Sequence, residues 1–216
     1  MTATTALIAA CAALAVVALA LLLHGRRLAR ALERAEGESR RNRRLADFDS
    51  LTGLHNKRYF DETLAREAAR ARRYGRALAL VIADVDDFKA INDRFGHLAG
   101  DAVLAEVGAR VREVVRSADI ACRVGGDEIA VILPESSAAD AERLYARLQR
   151  TVAAHPVAGA GHIEVSAGIT ELLEGDDATT CFDRADKALY RAKELGKGRA
   201  VIAPETSRPP GTASSR

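Results

Sequence analysis

The stretch "RVGGDEIAV" (123–131) sets Gly-Gly between two runs of extended, apolar character, in a chain whose other segments alternate helical and strand periodicity. Glycine reaches the positive φ values that tight turns need, so this run reads as a β-hairpin, antiparallel by construction. Strand–helix–strand crossovers alone would build a parallel sheet. A sheet that also takes in this hairpin must be mixed, and the class is α/β in the broad sense (α+β), with helices flanking a mixed central sheet.

Periodicity predicts a helix over 56–75, a buried strand over 77–85 and an amphipathic helix over 99–116 in which Val103, Val107, Val111 and Val114 share a face. The strands "DIACRVGG" and "EIAVILP" flank the turn. A helix over 137–155, a strand over 163–172, a helix over 180–196 with Gly196 as its C-cap and a short strand over 199–204 complete the order. With 216 residues, 48% of them hydrophobic, the chain can bury a real core, which excludes a wholly disordered protein.

Residues 6–23, "ALIAACAALAVVALALLL", form an apolar run of eighteen. As a helix it would span roughly 27 Å, close to a bilayer core. "MTATT" before it lacks the basic start of a cleaved signal, so residues 1–24 read as an uncleaved anchor; an exported domain behind a cleaved signal is the rival. Arg26, Arg27 and Arg30 just after the run place the rest of the chain in the cytoplasm by the positive-inside rule. Residues 25–45 read as a charged helical linker, either a short coiled coil or a solvated helix, and residues 205–216 as a disordered tail.

Residues 26–44 hold eight Arg and three Glu, a net +5 against +2 for the whole chain, which leaves −3 elsewhere. That basic charge can lie against anionic lipid, and the remainder lacks the excess expected of a nucleic-acid binder. Cys11, Cys122 and Cys181 are odd in number and far apart, which indicates neither a disulfide framework nor a zinc site.

The apolar strand "ALALVIADV" runs into Asp84, Asp86 and Asp87. A polar loop with Asp87 opening the next helix is the plain account. Asp84, however, follows the buried run closely enough to be half buried itself, and a half-buried carboxylate without a cation is costly. If the hairpin lies beside this strand, Asp127 reaches Asp84. Paired carboxylates with no His or Cys nearby select a hard cation, Mg²⁺ or Mn²⁺.

Five ordered segments now stand together: "DSLTGLHNKRYF" (49–60), "DVDDFKAINDRFGHLAGD" (84–101), "RSADIACRVGGDEI" (116–129), "VSAGIT" (165–170) and "ADKALYRAKELGKGR" (185–199). In them the chain resembles the GGDEF domain of bacterial diguanylate cyclases across residues 46–203, and the domain is placed at 46–204. The resemblance implies a palm-like nucleotidyl cyclase fold. It also implies condensation of two GTP into cyclic di-GMP and two pyrophosphates, with two metals per active site.

Residue by residue, it makes Asp84, the Val85 carbonyl and Asp127 metal ligands, and Asp127 the proton acceptor as well. Glu128 is either a second-metal ligand or an orienting group. Asn92 and Asp101 correspond to the guanine-reading pair, His97 to another substrate contact, Lys193 and Lys197 to triphosphate holders, and Lys89 to a lysine offsetting developing phosphate charge. Arg116 and Asp119, in "RSAD", correspond to an inhibitory site that binds cyclic di-GMP. Two departures stand out: Ile129 where the family has Phe, both apolar and expected to pack inward, and Gly198 where Asn is usual, a change that leaves that loop room to loosen.

One such domain holds one GTP, so a symmetric dinucleotide requires a homodimer. The chain is therefore expected to be a single-pass protein of the bacterial inner membrane with its catalytic domain in the cytoplasm. The rivals are a catalytically silent cyclic di-GMP-binding module and an enzyme for another nucleotide; Asn92 with Asp101 argues for guanine.

Overall fold

The computed structural model describes residue 26, residues 47–157 and residues 160–204. The apolar run, all of the linker except Arg26, and the tail lie outside the described residues. Among the described residues no helix is long and apolar enough to cross a membrane. The described residues from Asp47 to Pro204 form one compact unit.

The order is α1 (Lys57–Tyr74), β1 (Leu78–Val85), α2 (Phe88–Phe95), α3 (His97–Val114), β2 (Ile120–Arg123), β3 (Glu128–Pro134), α4 (Ala138–Ala154), β4 (Val165–Glu171), α5 (Ala178–Glu194) and β5 (Ala200–Ile202). The five strands lie in the order β2-β3-β1-β4-β5. β1 is antiparallel to both β3 and β4, β2 is antiparallel to β3, and only β4 and β5 run parallel. The sheet is mixed, as the hairpin requires.

β1 is central and buried at all eight positions, because helices cover both faces of the sheet. Ala79, Val81, Ala83 and Val85 pack with Val103, Val107 and Val111 of α3 and with Leu144, Leu148 and Val152 of α4. Leu78, Leu80 and Ile82 pack on the other side with Phe60, Leu64 and Ala68 of α1 and Ala185 and Leu189 of α5. Period-two alternation in the strand meets period-3.6 stripes on the helices, so one apolar run serves two cores. Ile129 packs inward at 3% exposure beside Val107 and Val111, so the branched aliphatic fills the place of an aromatic. Cys122 and Cys181 are free and buried, and burial pushes both thiols up to about 12.

Helix ends follow local chemistry. Ser137 caps α4 in a reciprocal capping box with Asp140, and the Asp177 carboxylate caps α5 by accepting from Thr180 N–H. The C-cap of α5 is Leu195 rather than Gly196, which follows it at φ 107° as the residue that reverses the chain. One helix, α2, is separate from α3 because Gly96 at φ 84° and ψ 160° breaks the run between them.

Gly168 of β4 sits directly under α5, where a methyl group would fall far inside contact distance of the Ala185 carbonyl and the Leu189 N–H. Backbone there cannot yield as a flexible side chain would. Gly168→Ala is expected to cost about 3 kcal/mol in urea unfolding, at the upper end of overpacking effects. A loss under about 0.5 kcal/mol, the range of ordinary surface changes, would show that α5 is not seated this closely.

Candidate active site

β1 delivers its carboxylates where the sheet ends. Asp84 lies opposite Glu128 across the β1–β3 ladder and opposite Ser166 on β4, and the Val85 N–H points at the Asp127 carbonyl at 3.4 Å. The register therefore brings residues 84, 127 and 128 together from positions more than forty residues apart in sequence. The Asp84 side chain is 8% exposed, and Lys193 of α5 reaches it, Nζ to Oδ1 at 2.9 Å.

Burial pushes the Asp84 carboxyl up to about 6; the hydrogen bond from Lys193 lowers it, while the charges of Asp127 and Glu128 raise it further. Three carboxylates and one lysine leave the cluster short of positive charge. All the donors are oxygens, the chemistry that suits a hard divalent cation. Among the described residues no three His, Cys, Asp or Glu side chains are already gathered around one point, so a cation here would also draw on backbone carbonyls or substrate oxygens.

The neighbouring aspartates do other work. Asp86 is buried and accepts from Ser166 Oγ at 2.7 Å and from Gly198 N–H at 3.0 Å, tying the α5–β5 turn to the end of β1. Gly198 itself is held in that turn. Its φ of 58° suits glycine, its N–H is held by Asp86 and its carbonyl accepts from Gln149. Asp87 stands at the N-cap of α2 with φ 55° and makes no side-chain cap; its carboxylate instead receives Lys197 Nζ at 2.6 Å. That contact raises the Lys197 ammonium above its ordinary range.

Lys89 and Asn92 lie on α2, His97 opens α3 and Asp101 follows within its first turns; Lys89, His97 and Asp101 are exposed. Asn92 Oδ1 occupies the space that a side chain at Gly100 would need, which brings the amide up against the turn carrying Asp101. Gly100 thus leaves the room that the Asn92 amide fills, a close approach that pattern reading passed over.

Two more were missed. Asp49 in "DSLTG" accepts from Thr52 N–H and Oγ1 at 2.8 and 2.7 Å, and from Arg123 at 3.2 Å. These hydrogen bonds hold the Asp49 carboxyl below its ordinary range against a burial effect that would raise it. Arg123 also donates to the Gly126 carbonyl at 2.7 Å, so this pair fixes the turn that presents Asp127. The only signal in sequence was an Arg and an Asp with no evident partners.

Arg116 and Asp119 form a separate turn before β2, in which the Asp119 carboxylate accepts from the Arg116 N–H at 2.8 Å. Both line a 160 Å³ cavity with Arg143 and Arg147 of α4, and the sequence reading had singled out neither arginine.

The chain thus forms a mixed sheet with helices on both faces, ending in an oxygen-only acidic strand end that Lys193 and Lys197 reach. Over residues 46–199 the chain matches the family described as diguanylate cyclase, GGDEF domain, and it belongs to that family. It is 44% identical over 158 residues to diguanylate cyclase DgcP of Pseudomonas aeruginosa, covering 72% of this chain and 24% of that protein. It is 39% identical to the response regulator PleD of Caulobacter vibrioides, covering 73% of this chain and 36% of that one. It superimposes on the coiled coil and GGDEF domain of DgcB from Caulobacter crescentus in complex with c-di-GMP with TM-score 0.77 and 32% identity, covering 82% and 97% of the two chains. The chain thus spans well under half the length of these two curated relatives.

The raised Asp84 carboxyl has a stability consequence. An acid whose folded pKa exceeds its unfolded value makes the folded state bind more protons, so stability falls as pH rises from about 4 to about 6 and stays reduced above that. Asp84→Asn mimics the protonated form. In a metal chelator at pH 7.5 it is expected to be more stable than the parent by about 1–3 kcal/mol, with the gain disappearing near pH 4. A lower melting temperature at pH 7.5 would contradict the charge imbalance described above.

Proposed function

We propose that the chain synthesises cyclic di-GMP from two GTP molecules, working as a homodimer in which each subunit presents one nucleotide to the other. Support comes from membership of the family, from relatives called diguanylate cyclases, and from the likeness to a DgcB structure that contains c-di-GMP. The observation that carries most weight is the register of β1 against β3, which sets Asp84 beside Asp127 and Glu128 at an open sheet end.

In this reading Asn92 and Asp101 receive the guanine, an amide and a carboxylate facing its N–H edge, with His97 a further contact. Lys193 and Lys197 take the triphosphate, and Lys89 offsets charge that develops on the attacked phosphate. Asp84, the Val85 carbonyl and Asp127 would hold the metal. When bound, two Mg²⁺ or Mn²⁺ ions per site supply charge neutralisation at the triphosphate and a lowered pKa at the 3′-hydroxyl. Asp127 accepts the proton of the 3′-hydroxyl, whose oxygen attacks the α-phosphate of the partner subunit's nucleotide as pyrophosphate leaves. Glu128 orients the hydroxyl, and the Asp49–Arg123 pair keeps the turn from swinging Asp127 away.

The Arg116, Asp119, Arg143 and Arg147 cavity is the product site in this account. Arginine forks suit guanine O6/N7 and phosphate, and Asp119 suits guanine N–H groups. Residues 6–23 anchor the dimer in the bacterial inner membrane with residues 46–204 in the cytoplasm, and nucleic acid is not a partner.

Purified, dimerised protein with GTP and Mg²⁺ is expected to yield cyclic di-GMP on chromatography. Tight dinucleotide binding without turnover would instead make the chain a silent binding module, and a different product would reassign the nucleotide. Asp127→Ala is expected to cut turnover by about 10²–10⁴-fold, the range of general acid–base contributions, without loss of the fold; full activity would remove that carboxylate from the mechanism. Arg116→Ala is expected to raise the product concentration for half-inhibition by about tenfold or more, the worth of one good bidentate contact. An unchanged value would place feedback elsewhere.

A further inference from the structure

We propose that Lys193 serves first as an internal stand-in cation at Asp84, and that a divalent ion entering the site displaces it toward the triphosphate, so that metal and triphosphate bind cooperatively. This rests on the metal site proposed above and assigns Lys193 a second role within it.

Lys193 Nζ lies 2.9 Å from Asp84 Oδ1, on a carboxylate only 8% exposed. That carboxylate also faces the charges of Asp127 and Glu128; Lys193 is the cation in direct contact with it, and Lys197 acts on it from further away. A divalent ion held by the same carboxylate would repel the ammonium beside it, and so little of the Asp84 side chain is exposed that water screens the two positive charges poorly. Lys193 is free to move. It belongs to the last turn of α5, its side chain is 37% exposed, and its four-carbon stem ends in a point charge with no fixed fork geometry.

Lys197 repeats the pattern one loop further on, 2.6 Å from Asp87 Oδ1. There both partners are well exposed, at 40% and 64%, so that pair contributes little and yields readily to phosphate. The pair at Asp84 is the one that gates. Whatever releases Lys193 makes it available to the triphosphate. Linkage requires the reverse too: triphosphate that captures Lys193 vacates Asp84 for the metal by the same factor. Metal alone and triphosphate alone therefore bind weakly, and the two together bind well.

Two measurements on the full chain in detergent micelles, without GTP, test the exchange. In the first, lysine acetylation is followed by peptide mass spectrometry with and without Mg²⁺. Acetylation at Lys193 is expected to rise several-fold on adding Mg²⁺, while Lys187 on the same helix is unchanged. In the second, Mn²⁺ binding is followed by electron paramagnetic resonance of the free ion. Lys193→Met is expected to bind Mn²⁺ about fivefold tighter or more, and inorganic tripolyphosphate is expected to tighten Mn²⁺ binding in the parent far more than in the variant.

Mn²⁺ bound at Asp84, as shown by its loss in Asp84→Asn, with Lys193 acetylation unmoved by Mg²⁺ would overturn the exchange and leave the metal site standing. No Mn²⁺ bound with or without tripolyphosphate would overturn the metal site and the exchange together.

Discussion

The site depends on one electrostatic problem: a carboxylate at the end of a strand buried on both faces, with two more carboxylates placed beside it by the β-ladder. β1 has no freedom to turn Asp84 outward, because its neighbours on either side are locked into two separate cores. The fold thus holds negative charge where water solvates it poorly, and a fully apolar site would be more stable. A cation brought to the site would offset that charge. The lysines of α5 and the turn after it supply partial compensation, and their reach to Asp84 and Asp87 links the far end of the domain to the strand that carries the acids.

Around that centre the chain spends several side chains on position alone. Asp86 has the sequence profile of a third acidic ligand, yet it is consumed by Ser166 and the Gly198 N–H. Arg123 and Asp49 stand behind the hairpin turn and face each other across 74 residues of sequence. Half-buried, mutually satisfied groups of this kind restrict where a neighbouring turn can sit, which a loop of glycines could not do unaided. The Arg116 turn belongs to the other end of β2, so the cavity beside it and the acidic strand end flank the same hairpin from its two ends.

Much of this architecture was legible in the sequence because periodicity and burial are local signals. The unbroken apolar run in "ALALVIADV" and the stripe of Val103, Val107 and Val111 place a buried strand and an amphipathic helix without knowledge of the rest. The Gly-Gly turn dictated a mixed sheet. What pattern reading lacked was register and close approach. Nothing in one sequence says that residue 84 will oppose residue 128, that Asn92 will press on Gly100, or that Arg143 and Arg147 will line one cavity with Arg116, since each depends on how two elements pack. The family resemblance supplied the roles of Asn92, Asp101, Lys193 and Lys197, which would otherwise pass as ordinary surface residues. The inward packing of Ile129 follows from its apolar character and is observed, whereas Gly198 needed coordinates, since it takes a left-handed backbone that glycine accepts freely.

In the proposed mechanism Asp84 and Asp127 share one divalent ion. Anomalous scattering from Mn²⁺ in crystals grown with a non-hydrolysable GTP analogue tests it most directly. The account predicts a strong peak within coordination distance of carboxylate oxygens from both residues. A peak held by other side chains, or none at Asp84 with the analogue clearly bound, would contradict it.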